Sequence, residues 1–194
     1  MALVVGLGNP GTAYADTRHN AGWWVVGRLV RRWGASAGEG RSEYRTWDAM
    51  FRGSSVTLLE PLTWMNRSGE AIVMWREGHG LEPSQLLVVV DDVYLPVGHL
   101  RLRASGSNGG HRGLASIERA LGTRDYARLR VGVGAAAAPE LREHVLDAPP
   151  KDELEALERA ADGAAEAVEC WLAEGVIMAM NRINRRVPKE VSEP

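Results

Sequence analysis

Gly6-Leu-Gly-Asn-Pro-Gly-Thr-Ala-Tyr-Ala-Asp-Thr-Arg-His-Asn-Ala-Gly22 follows the strand-like run Ala2-Leu-Val-Val5, and its first six residues spell GxGxxG. In a dinucleotide-binding fold this pattern needs a helix that starts inside the glycines and an acid about 20 residues further on to hold a ribose. Neither requirement is met. After Gly11 eleven residues pass without an apolar period, the helix start falls at Asn20, and the window around position 30 offers Arg28, Arg31 and Arg32. Those arginines would suit the 2′-phosphate of NADP, but the displaced helix has no N-terminus to give a pyrophosphate. The glycines therefore read as a tight loop that lets backbone or ligand come close, and no cofactor is expected.

Outward from this loop, strand-like runs stand at 2–7, 44–51, 55–60, 86–91, 99–103 and 127–133, separated by segments with helical spacing. The alternation predicts a single-domain α/β sandwich, a mixed sheet flanked by helices. The first helix is expected from Asn20 as N-cap, with Trp23, Val26, Val30 and Trp33 on one face and Gly34 as its stop. Further helices are expected over 68–76, over 113–121 ended by Gly122, from Asp152 onward, and over 176–184. In the long helix Leu154, Leu157, Ala161, Ala164, Val168 and Leu172 share one side. Trp23, Trp33, Trp75 and Trp171 sit at core spacing and are read as packing. One domain is expected over 1–188, with 189–194 a loose tail.

The 194 residues are 45% hydrophobic and 25% charged, the composition of a globular domain with one core. No apolar run approaches the roughly 20 residues of a membrane span, and the N-terminus enters a strand with no basic region before it, so a full-length cytoplasmic protein is expected. The lone cysteine, Cys170, excludes an internal disulfide and a thiolate cluster, and reads as a small core residue. Net charge is −2, yet 100–130 carries seven arginines against Glu118 and Asp125, whereas 139–175 carries eleven acids against three bases. One region can face phosphates while another repels them.

Chemistry-bearing residues gather where strands end and helices begin: Asn9 with His19, Thr63-Trp64-Met65-Asn66, Asp91-Asp92, and Gly109-Gly110-His111-Arg112-Gly113. Together they offer a histidine, a carboxylate and amides, enough for a general base, its orienting partner and oxyanion donors. No GxSxG elbow is present, Ser68 and Ser105 lack an evident base, and the five histidines lack HExxH spacing. Histidine-activated water remains, without a metal. Each signal has a plain structural counterpart: Asp91 as a strand end, Asn66 as an N-cap, Gly109-Gly110 as a turn.

In combination, Gly6-Leu-Gly-Asn-Pro-Gly11 with Tyr14, Thr17-Arg-His-Asn20 and Gly22, then Pro61-Leu-Thr-Trp-Met-Asn66 with Ser68-Gly69, Asp91 before Leu95-Pro96, Gly109-Gly110-His111 with Gly113-Leu114, and Leu129-Arg-Val-Gly-Val-Gly134 closely resemble the bacterial peptidyl-tRNA hydrolase family. The matches run in order from residue 2 to about 134, with a weaker echo at Ala179-Met-Asn181. The resemblance implies a monomeric, cofactor-independent α/β enzyme of phosphorylase/hydrolase-like architecture that cleaves the ester between peptide and tRNA. By the same resemblance His19 activates water, Asp91 orients it, Asn66 contacts substrate and stabilises the oxyanion, and Asn9 distinguishes blocked from free aminoacyl groups. Tyr14 and Trp64 would line the cleft for the tRNA end and peptide, with Trp64 in place of the usual phenylalanine and able to stack on the terminal adenine; Met65 would support its floor, and His111 would contact the substrate.

Arg112 departs from the family pattern, which has asparagine between His111 and Gly113. Turned inward, its guanidinium would oppose protonation of His19 and compete for Asp91; turned outward, it would meet tRNA phosphate. This departure supports one alternative, an RNA-binding relative of the same fold with weakened hydrolysis.

Overall fold

The computed structural model describes residues 1–135 and 140–185, so the expected tail over 189–194 lies outside the described residues. Seven strands form one sheet in the order β2-β3-β4-β1-β5-β7-β6. They are β1 (Ala2–Gly6), β2 (Ser36–Arg41), β3 (Tyr44–Phe51), β4 (Ser54–Pro61), β5 (Leu86–Asp92), β6 (Leu100–Arg103) and β7 (Ala127–Gly132). The central strands β4, β1, β5 and β7 run parallel, and β2, β3 and β6 add antiparallel edges. The sheet is mixed, as the alternation of elements predicts.

Helices α1 (Ala21–Trp33) and α5 (Lys151–Ile183) cover one face; α2 (Ser68–Glu77) and α3 (Arg112–Leu121) cover the other, and the short α4 (Leu141–Leu146) lies at the site. Period-two geometry divides β4, β1 and β5 between two cores, while β7 gives Ala127, Leu129 and Val131 to one of them and turns Arg128 and Arg130 the other way. On β5, Leu87 and Val89 face α1 and α5, while Val88 and Val90 face α2 and α3. A strand buried on both faces has no polar side to show, hence the unbroken run Leu86-Leu-Val-Val-Val90.

Three expectations are corrected. β2 is an additional strand: Ser36-Ala-Gly-Glu-Gly-Arg41 has no apolar alternation, and pairing with β3 alone defines it. The inward face of α1 is Ala21, Gly22, Val25, Val26 and Leu29; Trp23 turns instead to the loop before the helix. In α5 Leu154 is exposed, and Gly175, at φ 80°, breaks the helix where two helical pieces are expected. Trp75, Trp171 and Cys170 are buried, as their spacing predicts. Past the break, Asn184 lies against edge strand β6: its Oδ1 accepts from Leu102 N at 2.9 Å and its Nδ2 donates to Leu102 O at 3.1 Å. Among the described residues no helix is long and apolar enough to cross a membrane.

Candidate active site

The parallel strands deliver their following loops to one end of the sheet, where they bound a cleft of about 540 Å³. Asn9 and His19 come from the loop after β1, Trp64, Met65 and Asn66 from the turn after β4, Asp91 from the end of β5, and His111 and Arg112 from the start of α3.

The glycines that mimic a cofactor motif serve packing. A Cβ on Gly6 would lie 2.3 Å from the carbonyl oxygen of Gly22, because α1 crosses the end of β1 in near contact. One on Gly8 would meet the Trp23 ring at 2.7 Å. The loop that leaves this crossing is closed by Asn20. Its Oδ1 accepts from Asn9 N at 2.8 Å and its Nδ2 donates to Asn9 O at 3.1 Å, so Asn20, at the expected N-cap position, uses its side chain as a clasp instead of a cap. Asn9 Oδ1 in turn accepts from Met65 N at 2.9 Å, joining the two loops. Since that N–H requires an oxygen, the Asn9 amide is oriented, and Nδ2–H is the group left to face the cleft.

Asp91, only 2% exposed, accepts from two imidazoles. His19 Nδ1 stands 3.0 Å from both of its oxygens, and His111 Nε2 stands 3.0 Å from Oδ1. His111 Nδ1 accepts from Gly113 N at 3.2 Å and Leu114 N at 3.3 Å as the N-cap of α3, which fixes the proton on Nε2. His19 Nδ1 likewise carries its proton toward the carboxylate, so the Nε2 lone pair is the one available to the cleft. Burial alone would raise the Asp91 pKa; His19 and then His111 outweigh it and hold the carboxyl well below its usual range. For His19, burial pulls the pKa down, the Asp91 carboxylate more than offsets this, and the net shift is upward, with Arg112 pulling modestly down. The donor atoms of these three side chains lie within 4.8 Å of one another, a spacing a metal ion could also use; the 3.0 Å contacts have hydrogen-bond length.

Asn66 and Arg112 are exposed at the cleft, and the N-cap position of α2 falls to Arg67, so Asn66 is not a cap. Tyr14 and Trp64 meet edge to face at 5.7 Å, Trp64 being 52% exposed; Met65 is buried beneath. Ser68 Oγ is buried and donates to Met65 O, which occupies it structurally. Of the seven arginines between 100 and 130, Arg128 is buried and donates to the carbonyls of Gly106, Ser107 and Arg124, and Arg130 pairs with Asp92 at 3.1 Å. Arg101, Arg103, Arg112, Arg119 and Arg124 are exposed.

A family model described as peptidyl-tRNA hydrolase matches residues 3–191. The chain belongs to the peptidyl-tRNA hydrolase family. A peptidyl-tRNA hydrolase from Synechococcus sp. (strain JA-2-3B'a(2-13)) is 46% identical over all of this chain and 86% of its own length. One from Rhodopirellula baltica is 42% identical over 95% of this chain and 97% of its own. The crystal structure of peptidyl-tRNA hydrolase from Acinetobacter baumannii superposes with a TM-score of 0.90 at 35% identity, covering 95% of each chain.

The structure adds a wall to the cleft that sequence reasoning missed: Val93 and Tyr94 after β5, with Leu141, Arg142, Val145 and Leu146 of α4. Arg18, one residue before His19, anchors that wall. Its guanidinium donates to the carbonyls of His144, Asp147 and Ala148 and pairs with Glu153 at 2.7 Å. The only sequence signal was its adjacency to His19.

Proposed function

We propose that this protein hydrolyses the ester joining a peptide, or an N-blocked aminoacyl group, to tRNA, releasing free tRNA and peptide from stalled or aborted translation. The observation that carries the reading is the buried Asp91 carboxylate accepting from both His19 Nδ1 and His111 Nε2, which presents His19 Nε2 to the cleft as a base. His19 takes a proton from water as the oxygen adds to the ester carbonyl, and Asp91 stabilises the imidazolium that forms. Asn66 donates to the tetrahedral oxyanion. Collapse expels the ribose oxygen, which receives the proton from His19, so the base is regenerated and no metal or cofactor is consumed.

Asn9 supplies the specificity. Its Nδ2–H, oriented by Met65 N, donates to a peptide carbonyl but leaves a free α-ammonium facing another donor. Tyr14 and Trp64 receive the terminal adenine and Met65 floors the cleft, while Arg112 and the exposed arginines beside it meet tRNA phosphate. The protein acts in the cytoplasm as a monomer, with residues 1–188 as a single functional domain.

The test is release of peptide from N-acetyl-aminoacyl-tRNA with EDTA present. Wild type is expected to turn over at full rate, and His19→Ala to lose about a thousandfold or more in kcat. Activity that survives that substitution refutes the mechanism, and loss in EDTA refutes metal independence. A wild type that is inactive and becomes active on Arg112→Asn favours the weakened RNA-binding relative instead.

A further inference from the structure

Trp23 does not join the inward face of α1; its ring lies against the loop that carries Asn9 and near Arg45 of β3. A Cβ at Gly8 would stand 2.7 Å from its Cδ1 and 2.8 Å from its Cγ and Nε1, so the ring is in contact with the loop backbone one residue before Asn9. The Arg45 guanidinium sits over the ring, 5.0 Å from its centroid, and 5.3 Å from that of Trp47. Arg45 is fixed there by Glu60, its cross-strand partner on β4, through Nε–Oε2 at 2.7 Å. The Trp23 Nε1 is buried and has no hydrogen-bond partner among the described residues. Contact and the cation above it therefore set the place of the ring.

We propose that Trp23, packed against Gly8 and held under Arg45, is a positioning residue for Asn9. It backs the backbone from which the Asn9 amide projects, and Arg45 with Glu60 holds it in place. Asn20 and Met65 N fix Asn9 from within the site; Trp23 stops Gly8 from receding behind it. Glycine at position 8 is required by this contact, since any side chain there would collide with the indole. The inference rests on the reading of Asn9 as the group that distinguishes blocked from free aminoacyl-tRNA.

The experiment measures the ratio of kcat/KM for N-acetyl-aminoacyl-tRNA to that for free aminoacyl-tRNA. It is run on wild type, Asn9→Ala, Trp23→Ala, Trp23→Phe, Arg45→Met and Arg45→Lys, with melting temperatures taken alongside. Asn9→Ala is expected to lower the ratio, and Trp23→Ala to lower it by about tenfold or more, because a displacement of about 1 Å at a positioned group costs on the order of a hundredfold. Trp23→Phe keeps a ring against Gly8 and should retain most of the discrimination. Arg45→Met should lower the ratio by a smaller factor and Arg45→Lys, which restores a cation over the ring, should recover it. Should Trp23→Ala fail to fold, the Arg45 pair carries the test from the protein surface. The inference is overturned if Asn9→Ala lowers the ratio while Trp23→Ala and Arg45→Met leave it at the wild-type value, or if these lower activity on both substrates alike. An unchanged ratio in Asn9→Ala itself overturns the Asn9 reading, a distinct result.

Discussion

The proton inventory around Asp91 decides what His19 can do. Because the Nδ1 proton is committed to the carboxylate, the proposed mechanism needs Nε2 unprotonated, and the raised pKa places the expected acidic limb of kcat/KM against pH above the ordinary imidazole value of 6.5. Arg112 pulls in the opposite direction. Arg112→Asn should therefore move that midpoint to higher pH, as read from a pH profile with N-acetyl-aminoacyl-tRNA; a midpoint that stays or falls contradicts the assigned electrostatics. The linkage to stability has the sign of a histidine that gains a partner. Folding favours protonated His19, so its contribution is full below 6.5 and fades as pH rises through the raised value. His19, Asp91, Asn9 and Asn66 were all legible in the sequence, as was their gathering at strand ends. The clasp by Asn20 was not, because an asparagine before a helix reads equally as an N-cap, and only the fold brings Asn9 within its reach.

Among the elements, α4 depends most on a single residue. It is short, none of its residues is buried, and the Arg18 guanidinium ties its end and the following turn to the segment that carries His19. Arg18→Met keeps the stem and removes the charge. It should lower unfolding free energy by about 2 kcal/mol, since three carbonyls and the Glu153 carboxylate lose their charged donor, and raise KM more than it lowers kcat, as measured by urea denaturation and steady-state kinetics. An unchanged KM would show that α4 contributes nothing to substrate binding. This element and β2 escaped sequence reading for related reasons. β2 is glycine- and charge-rich and exists through its ladder to β3, while Leu141–Leu146 has too few apolar positions for a period to emerge from an acidic stretch. The long α5 and the β1 and β5 runs were legible because burial on one stripe or on both faces leaves a pattern in sequence.

At the scale of the whole molecule, charge is sorted. Of the exposed arginines between 100 and 130, Arg101 and Arg103 belong to β6, Arg112 and Arg119 to α3 and Arg124 to the loop after it, whereas acids of α5 are partly neutralised by α1 through Arg28–Asp162 at 2.8 Å and Arg32–Glu169 at 3.4 Å. An overall charge of −2 thus coexists with an arginine-rich stretch over 100–130, in which the buried Arg128 and the Asp92-paired Arg130 leave fewer arginines exposed than the sequence distribution suggests. One buried acid stands outside this scheme. Burial pushes Glu60 up to about 7 against the pull of Arg45. A carboxyl raised in the folded state favours folding while protonated, so its contribution is present below the ordinary value of 4.5 and lost as pH rises through about 7. Between pH 5 and 8 the wild type should lose more thermal stability than Glu60→Gln, by paired melting curves; parallel curves would contradict the shift.

The amide of Asn184 imitates a neighbouring strand. By taking both the N–H and the C=O of Leu102, it occupies hydrogen-bonding groups that the outer strand of an open sheet otherwise offers to any extended peptide. An enzyme whose proposed product is a released peptide works beside a steady supply of such segments. A single side chain, folded back after the Gly175 break, helps keep that edge from recruiting them.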